Sequence, residues 1–201
     1  MSVSRETVLN WLRTGSEDAS DIVNLPWDVK QLDESTYLAE HPRMPFRLLV
    51  KFAPGFVSLV VPTNLETSNL PNVQKLAVYQ TLLNLNEMVY MMKFTLMEPN
   101  QTVALRVDLS TETLGKEEFN DALTALAIGL LTGVMALGLE EEFVNRVMER
   151  ILDTLREKVR EGYTYDQLLE FLTVRVGLRE DDAKDLLNEV LKSMSDEFER
   201  S

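Results

Sequence analysis

The apolar positions of this chain fall first into a helical period: Val8, Trp11 and Leu12 share one side of a predicted helix over residues 4–13, while Arg5, Glu6, Asn10 and Arg13 take the other. Gly15 ends that helix, and the small, acidic run at residues 16–21 has the composition of a mobile loop. From Trp27 the period changes to two. Val29, Gln31 and Tyr37 suggest a weak first strand, and residues 46–53 give a stronger one with Leu48, Val50 and Phe52 on one face. Pro54-Gly55 is a turn dipeptide, and residues 56–61 supply the return strand.

Residues 72–87 go back to helical spacing, with Pro71 near the start. Val73, Leu76, Ala77, Gln80, Leu83 and Leu85 lie around what reads as a largely buried cylinder. A second strand pair is expected at residues 88–97 and 102–109, around the turn Glu98-Pro99-Asn100-Gln101. A long helix over residues 116–139 follows, entered through Thr113 or Gly115, with Glu117 and Glu118 suiting the positive end of its dipole. The order is helix, three strands, helix, two strands, helix. An antiparallel sheet of hairpins packed by helices on one face buries these stripes, which is an α+β fold.

Beyond Gly138 the pattern is helical only. Val144, Met148, Ile151, Leu155 and Val159 mark one amphipathic helix over residues 141–160. Tyr165, Leu168, Leu169, Leu172 and Val176 mark a second, and Ala183, Leu186, Leu187, Val190, Leu191, Met194 and Phe198 a third, with Gly162 and Gly177 between them. The expected organisation is an α+β domain at 1–139 and a small helical subdomain at 140–201.

The run Leu82-Leu83-Asn84-Leu85-Asn86 closing the middle helix, with Lys93-Phe94 in the next strand, resembles the type III secretion chaperone-like fold over about residues 1–139. That group holds the class I secretion chaperones and the YbjN-like group of candidate sensory transduction regulators. The resemblance implies a small, acidic, homodimeric protein that binds other polypeptides and transforms no substrate. It supplies no catalytic residues, and the helices after residue 139 are not part of its pattern.

Charge and composition narrow the chemistry. The 201 residues hold 20 bases against 33 acids, for a net charge of -13, with one histidine and no cysteine. Disulfides, thiol catalysis and cysteine zinc sites are therefore excluded. A nucleic-acid binder of this charge would need a concentrated basic patch, and none stands out along the sequence. Residues 1–139 carry 16 acids and 10 bases and residues 140–201 carry 17 and 10, so the acidity is a solvated exterior and not a tail. Residues 1–12 lack the apolar core of a secretory signal, which makes the cytoplasm the expected compartment.

Against that exterior, residues 122–139 carry no charge and place glycines at 129, 133 and 138. The length sits at the lower limit for a membrane span, but Asn120-Asp121 and Glu140-Glu141-Glu142 flank it. A buried helix is the expectation, with no membrane span. The glycines would admit a second backbone, either the sheet or the same helix of another subunit. Ile128, Gly129, Thr132, Gly133 and Ala136 are accordingly the expected dimer contacts. Methionine suits adaptable surfaces, and Met91, with Phe56, is the candidate for contact with another protein.

Other chemistry has a plainer explanation. His41, in Glu40-His41-Pro42-Arg43, reads as an exposed turn residue. Asp181 and Asp185 could share a helix face as a cation site would require, but they and Glu140-Glu141-Glu142 fall at predicted helix starts, where acids oppose the dipole. The last two helices superficially resemble a helix-turn-helix, yet Glu180, Asp181, Asp182 and Asp185 would meet phosphates with like charge. The expected function is a non-enzymatic, homodimeric, chaperone- or adapter-like module that holds another protein. It needs no cofactor or metal and binds no nucleic acid. The rival reading is a small-molecule sensor or enzyme using His41 or a carboxylate pair in a pocket between the two parts.

Overall fold

Helix α1 (Arg5–Arg13) starts where Ser4 Oγ accepts the Thr7 N–H at 3.1 Å, a side-chain cap that replaces a missing intrahelical partner. The computed structural model describes residues 2–198, with side chains through Met194. The chain divides into two units, residues 1–139 and 140–201.

In the first unit, β1 (Asp28–Gln31), β2 (Thr36–Glu40), β3 (Leu48–Ala53), β4 (Phe56–Glu66), β5 (Lys93–Met97) and β6 (Thr102–Ser110) form one antiparallel sheet in the order β1-β2-β3-β4-β6-β5. α2 (Asn72–Met88) separates β4 from β5, and α3 (Lys116–Leu137) follows β6. The fold is the α+β arrangement read from the sequence, with one more strand. Residues 28–40 are a hairpin of two strands because Asp33 Oδ1 accepts the backbone N–H groups of Ser35 and Thr36, at 2.8 and 2.9 Å, and closes a turn containing neither glycine nor proline.

Alternation along the strands sends Val50, Val57, Leu59, Leu105, Val107 and Leu109 to the face covered by helices, and all are buried. α3 lies on that face. Phe119, Leu123, Leu126, Gly129, Leu130 and Gly133 make its buried stripe, and Phe119 stacks against Trp11 of α1 with ring centroids 5.7 Å apart. A β-carbon at Gly129 would come within 2.5 Å of Met92 Sδ, and one at Gly133 within 2.9 Å of Phe94 Cζ. The close approach these glycines permit is thus used by the molecule's own sheet. Gly138, at φ 66°, ends α3 in the left-handed conformation.

Three expectations need correction. The stretch from residue 88 is not strand: Met88 closes α2, residues 89–92 are a link with Met91 at φ 67°, and β5 begins at Lys93. α2 is not a largely buried cylinder, since Leu82 and Leu85 are its buried residues while Val73, Leu76 and Leu83 stand in solvent. α3 likewise buries one stripe and not its whole circumference. It is long and apolar enough to cross a membrane by length and composition, with 33% of its most apolar window buried in the structure.

The second unit contains α4 (Glu140–Arg160), α5 (Tyr165–Glu170) running on into a π-helical turn (Phe171–Val176), and α6 (Glu180–Phe198). Ile151, Leu155, Leu168, Leu172, Leu187 and Val190 meet in its core. Thr164 and Gln167 form a reciprocal capping box at α5, and Gly177, at φ 86°, ends the turn that follows. The α6 stripe runs as the period predicts through Met194; the Phe198 side chain lies outside the described residues.

Candidate interaction surface

The side chains that could meet a partner lie on both faces of the sheet. On the helix side, Asn86 at the end of α2 binds the outer edge of β5, with Oδ1 accepting the Phe94 N–H at 2.6 Å and Nδ2 donating to the Phe94 carbonyl at 3.3 Å. Phe94 in turn meets Gly133, and Met92 meets Gly129, so the end of α2, β5 and the middle of α3 are held together. Around this junction apolar side chains face water: Leu83 and Met88 of α2, Tyr90 and Met91 of the link, and Ile128, Leu131 and Met135 of α3. The exposed positions of α3 recur at steps of three and four, and Val73, Leu76 and Leu83 of α2, three and seven residues apart, also fall on one side of their helix. Exposure of 71% at Met88, 87% at Tyr90 and 68% at Met135 is far beyond the isolated apolar residue that any surface tolerates.

Of the residues proposed from sequence as dimer contacts, Gly129 and Gly133 turn inward to the sheet, Ile128 and Ala136 face solvent, and Thr132 is half-buried. Met91 sits in the exposed link. Phe56 is exposed too, but on the other side of the sheet, in the same alternation as Ser58 and Val60.

That second face presents a polar network. Asp108 accepts Ser58 Oγ at 2.5 Å, Lys93 Nζ at 2.7 Å and Arg106 Nε at 2.7 Å, and Arg106 also donates to Ser58 Oγ at 3.1 Å. Partial burial pushes the Asp108 carboxyl up, but the hydrogen bonds from Lys93, Ser58 and Arg106, with the Arg106 charge, outweigh it and bring the pKa down to about 2. A carboxylate lowered in the folded state adds stability above its unfolded value of 3.8 and loses it as pH falls toward about 2. In urea titrations across that window, Asp108→Asn is therefore expected to flatten the acid limb of the stability profile. An acid limb as steep as that of the unsubstituted chain would refute the assignment.

His41 corrects the sequence reading of an exposed turn residue. It is 2% exposed; Nε2 is 3.2 Å from Glu17 Oε2, Nδ1 accepts the Arg43 N–H at 3.2 Å, and the ring lies against Trp27 at 6.1 Å between centroids. Both ring nitrogens are engaged, so the imidazole ties the loop at residues 16–21 to the β2–β3 connection and presents no free atom to a substrate. That loop is also held by the Ser16 N–H on the Asn24 carbonyl at 2.9 Å. Glu140, Glu141 and Glu142 occupy the first turn of α4, and Asp182 pairs with Arg179 at the start of α6. Among the described residues no group of three or more histidine, aspartate or glutamate side chains is placed to hold a metal.

Sheet order, strand direction and covering helices define an α+β fold, followed by a helical unit. Within that class the chain belongs to the family described as a domain of unknown function, DUF8183, whose model matches residues 7–137. A second model, HTH_78, also described as a domain of unknown function, matches residues 138–200. No curated protein matches the sequence. Among solved structures, the chain is similar to the heterodimeric ExoU-SpcU complex from the type III secretion system of Pseudomonas aeruginosa, at 19% identity and TM-score 0.42 over 53% of this chain and 86% of that one. It is also similar to YbjN from E. coli, at 12% identity and TM-score 0.47 over 71% and 94%. An uncharacterized protein from Methanothermobacter thermautotrophicus matches at 13% identity and TM-score 0.47 over 70% and 99%. These are likenesses of fold, and no activity is carried over from them.

Proposed function

We propose that this chain is a non-enzymatic, cytoplasmic protein-binding module of chaperone or adapter type that acts as a homodimer. The observation that carries the reading is the apolar surface of α2, the link and α3. A soluble chain of net charge -13 leaves Leu76, Leu83, Ile128, Leu131 and Met135 in water, and another polypeptide surface is the natural cover for them. One feature supports a second copy as an occupant: the exposed stripes run along two helices, which can meet the same stripes of another subunit about a two-fold axis. His41, buried and engaged at both nitrogens, favours no enzymatic alternative.

Sedimentation equilibrium at low micromolar concentration is expected to give twice the chain mass of 23.0 kDa. Leu83→Glu combined with Met135→Glu is expected to return the single-chain mass with an unchanged circular dichroism spectrum. A wild-type protein that remains a monomer throughout would refute the homodimer.

A further inference from the structure

We propose that Met88, Met91 and Met135 make the apolar surface of α2, the link and α3 a redox-sensitive contact, which oxidation by hydrogen peroxide turns polar and so uncouples. The inference rests on the protein-binding reading above and gives that same surface a chemical means of release.

The chain has no cysteine, so its nine methionine thioethers are the sulfur atoms an oxidant meets. They divide by exposure. Met92, against Gly129 of α3, and Met194, in the core of the helical unit, are 4% and 7% exposed, and Met44 and Met97 are half-buried. Met88, Met91 and Met135 are between 49% and 71% exposed, and each comes from a different one of the three elements that build the surface. Met148 is the other exposed methionine among the described residues, and it belongs to the second unit. Access decides which thioethers an oxidant reaches, so the surface methionines react first.

The step is an oxygen transfer. A sulfur lone pair attacks one oxygen of the peroxide, the O–O bond breaks, and the departing oxygen leaves as water after taking up the proton. Sulfur is oxidised to the sulfoxide and the peroxide is reduced. The product carries a polar S–O group on a side chain that had been apolar. Leu76, Leu83 and Leu131 on the same surface have no such lone pair, so the change is confined to the methionine positions. A sulfoxide oxygen covered without a donor bears the cost of a buried unpaired polar group, enough to weaken the contact about tenfold per position. In a contact about a two-fold axis each position enters twice. Such a contact also covers the three thioethers, so peroxide reaches them in separated chains and then holds those chains apart until the sulfoxides are reduced.

The full chain, treated with limiting hydrogen peroxide, is mapped by peptide mass spectrometry. Met88, Met91 and Met135 are expected to gain oxygen well before Met92 and Met194, and more slowly at high chain concentration, a dependence absent at Met148. In sedimentation equilibrium the oxidised protein is expected at the mass of one chain. The two methionine sulfoxide reductases, one for each epimer, with a thiol reductant should restore the mass of the dimer. Met88→Leu combined with Met91→Leu and Met135→Leu, swaps of similar volume, is expected to keep its mass through peroxide treatment, while Met148→Leu responds as wild type does. Oxidation of Met92 and Met194 as fast as the exposed three, an oxidised wild type that stays dimeric, or peroxide dissociation that persists in the triple variant would each overturn the redox-sensitive contact. An untreated wild type that is already a monomer sinks the homodimer reading, and an untreated triple variant that is a monomer empties the mass comparison. In either case fluorescence of the apolar-surface dye ANS decides. It is expected to fall on oxidation of wild type and to hold in the triple variant, and an equal response from both would overturn the proposal.

Discussion

Gly15→Ala is expected to destabilise the first unit by about 3 kcal/mol, a large effect for one methyl group. The added β-carbon would overlap the carbonyl oxygen of Asn24 and lie 2.5 Å from its carbonyl carbon and 2.9 Å from that of Leu25. All three are backbone atoms, so no side chain can rotate aside. Relief requires the chain after α1 to part from the segment at residues 22–27, which breaks the Ser16 N–H bond to Asn24 and the Trp27 N–H bond to Leu12, both 2.9 Å. That segment buries Val23, Leu25 and Trp27, so the strain reaches the core. For a chain of this size the melting temperature should fall by about 6–12 °C. A variant melting with wild type would show that the two segments are not in contact. Gly55→Ala, where a β-carbon meets nothing within 4 Å, provides a contrast in which only the backbone conformation at φ 77° is disturbed.

Asn86→Ala is expected to cost about 2–3 kcal/mol. The side-chain amide serves Phe94 as a neighbouring strand would, accepting its N–H and donating to its carbonyl, and a methyl group leaves both unpartnered beside the core. Urea unfolding gives the loss, and faster hydrogen exchange at the Phe94 amide gives its location. Asn84→Ala, two residues earlier in the same run and exposed, should change stability by less than about 0.5 kcal/mol. If the two variants lose the same amount, Asn86 is no clamp.

This pair of asparagines marks how far the sequence could be read. The run Leu82-Leu83-Asn84-Leu85-Asn86 suggested the fold family, but its spacing alone does not separate the asparagine that holds the sheet from the one that faces water. Long periodic helices and the hairpin about Pro54-Gly55 were legible because their signals are local: a period of 3.6 or 2, and a turn dipeptide. The β1–β2 hairpin was missed because Asp33 builds its turn from side-chain hydrogen bonds, without the usual glycine or proline. Residues 89–92 read as strand because they are apolar, and what removes them from the sheet is the anchoring of Asn86 to Phe94, a contact eight residues long. α2 and α3 read as buried for the same reason: hydrophobicity is in the sequence, whereas its exposure depends on what covers it. The ionic cluster of Lys93, Arg106 and Asp108 with Ser58 was invisible until register aligned β4, β6 and β5; along the chain Ser58, Lys93 and Arg106 are widely separated.

The Asn86 contact also bears on how copies of this chain can aggregate. A sheet spreads from molecule to molecule through unpaired strand edges, and this sheet has two. At β5 the second residue of the edge, Phe94, is occupied by a side chain that takes up both of its backbone groups. At β1 the edge is four residues long, with Asp28 and Lys30 among them. Open-ended strand addition is thus obstructed on both sides, by a clamped residue at one edge and a short, charged strand at the other.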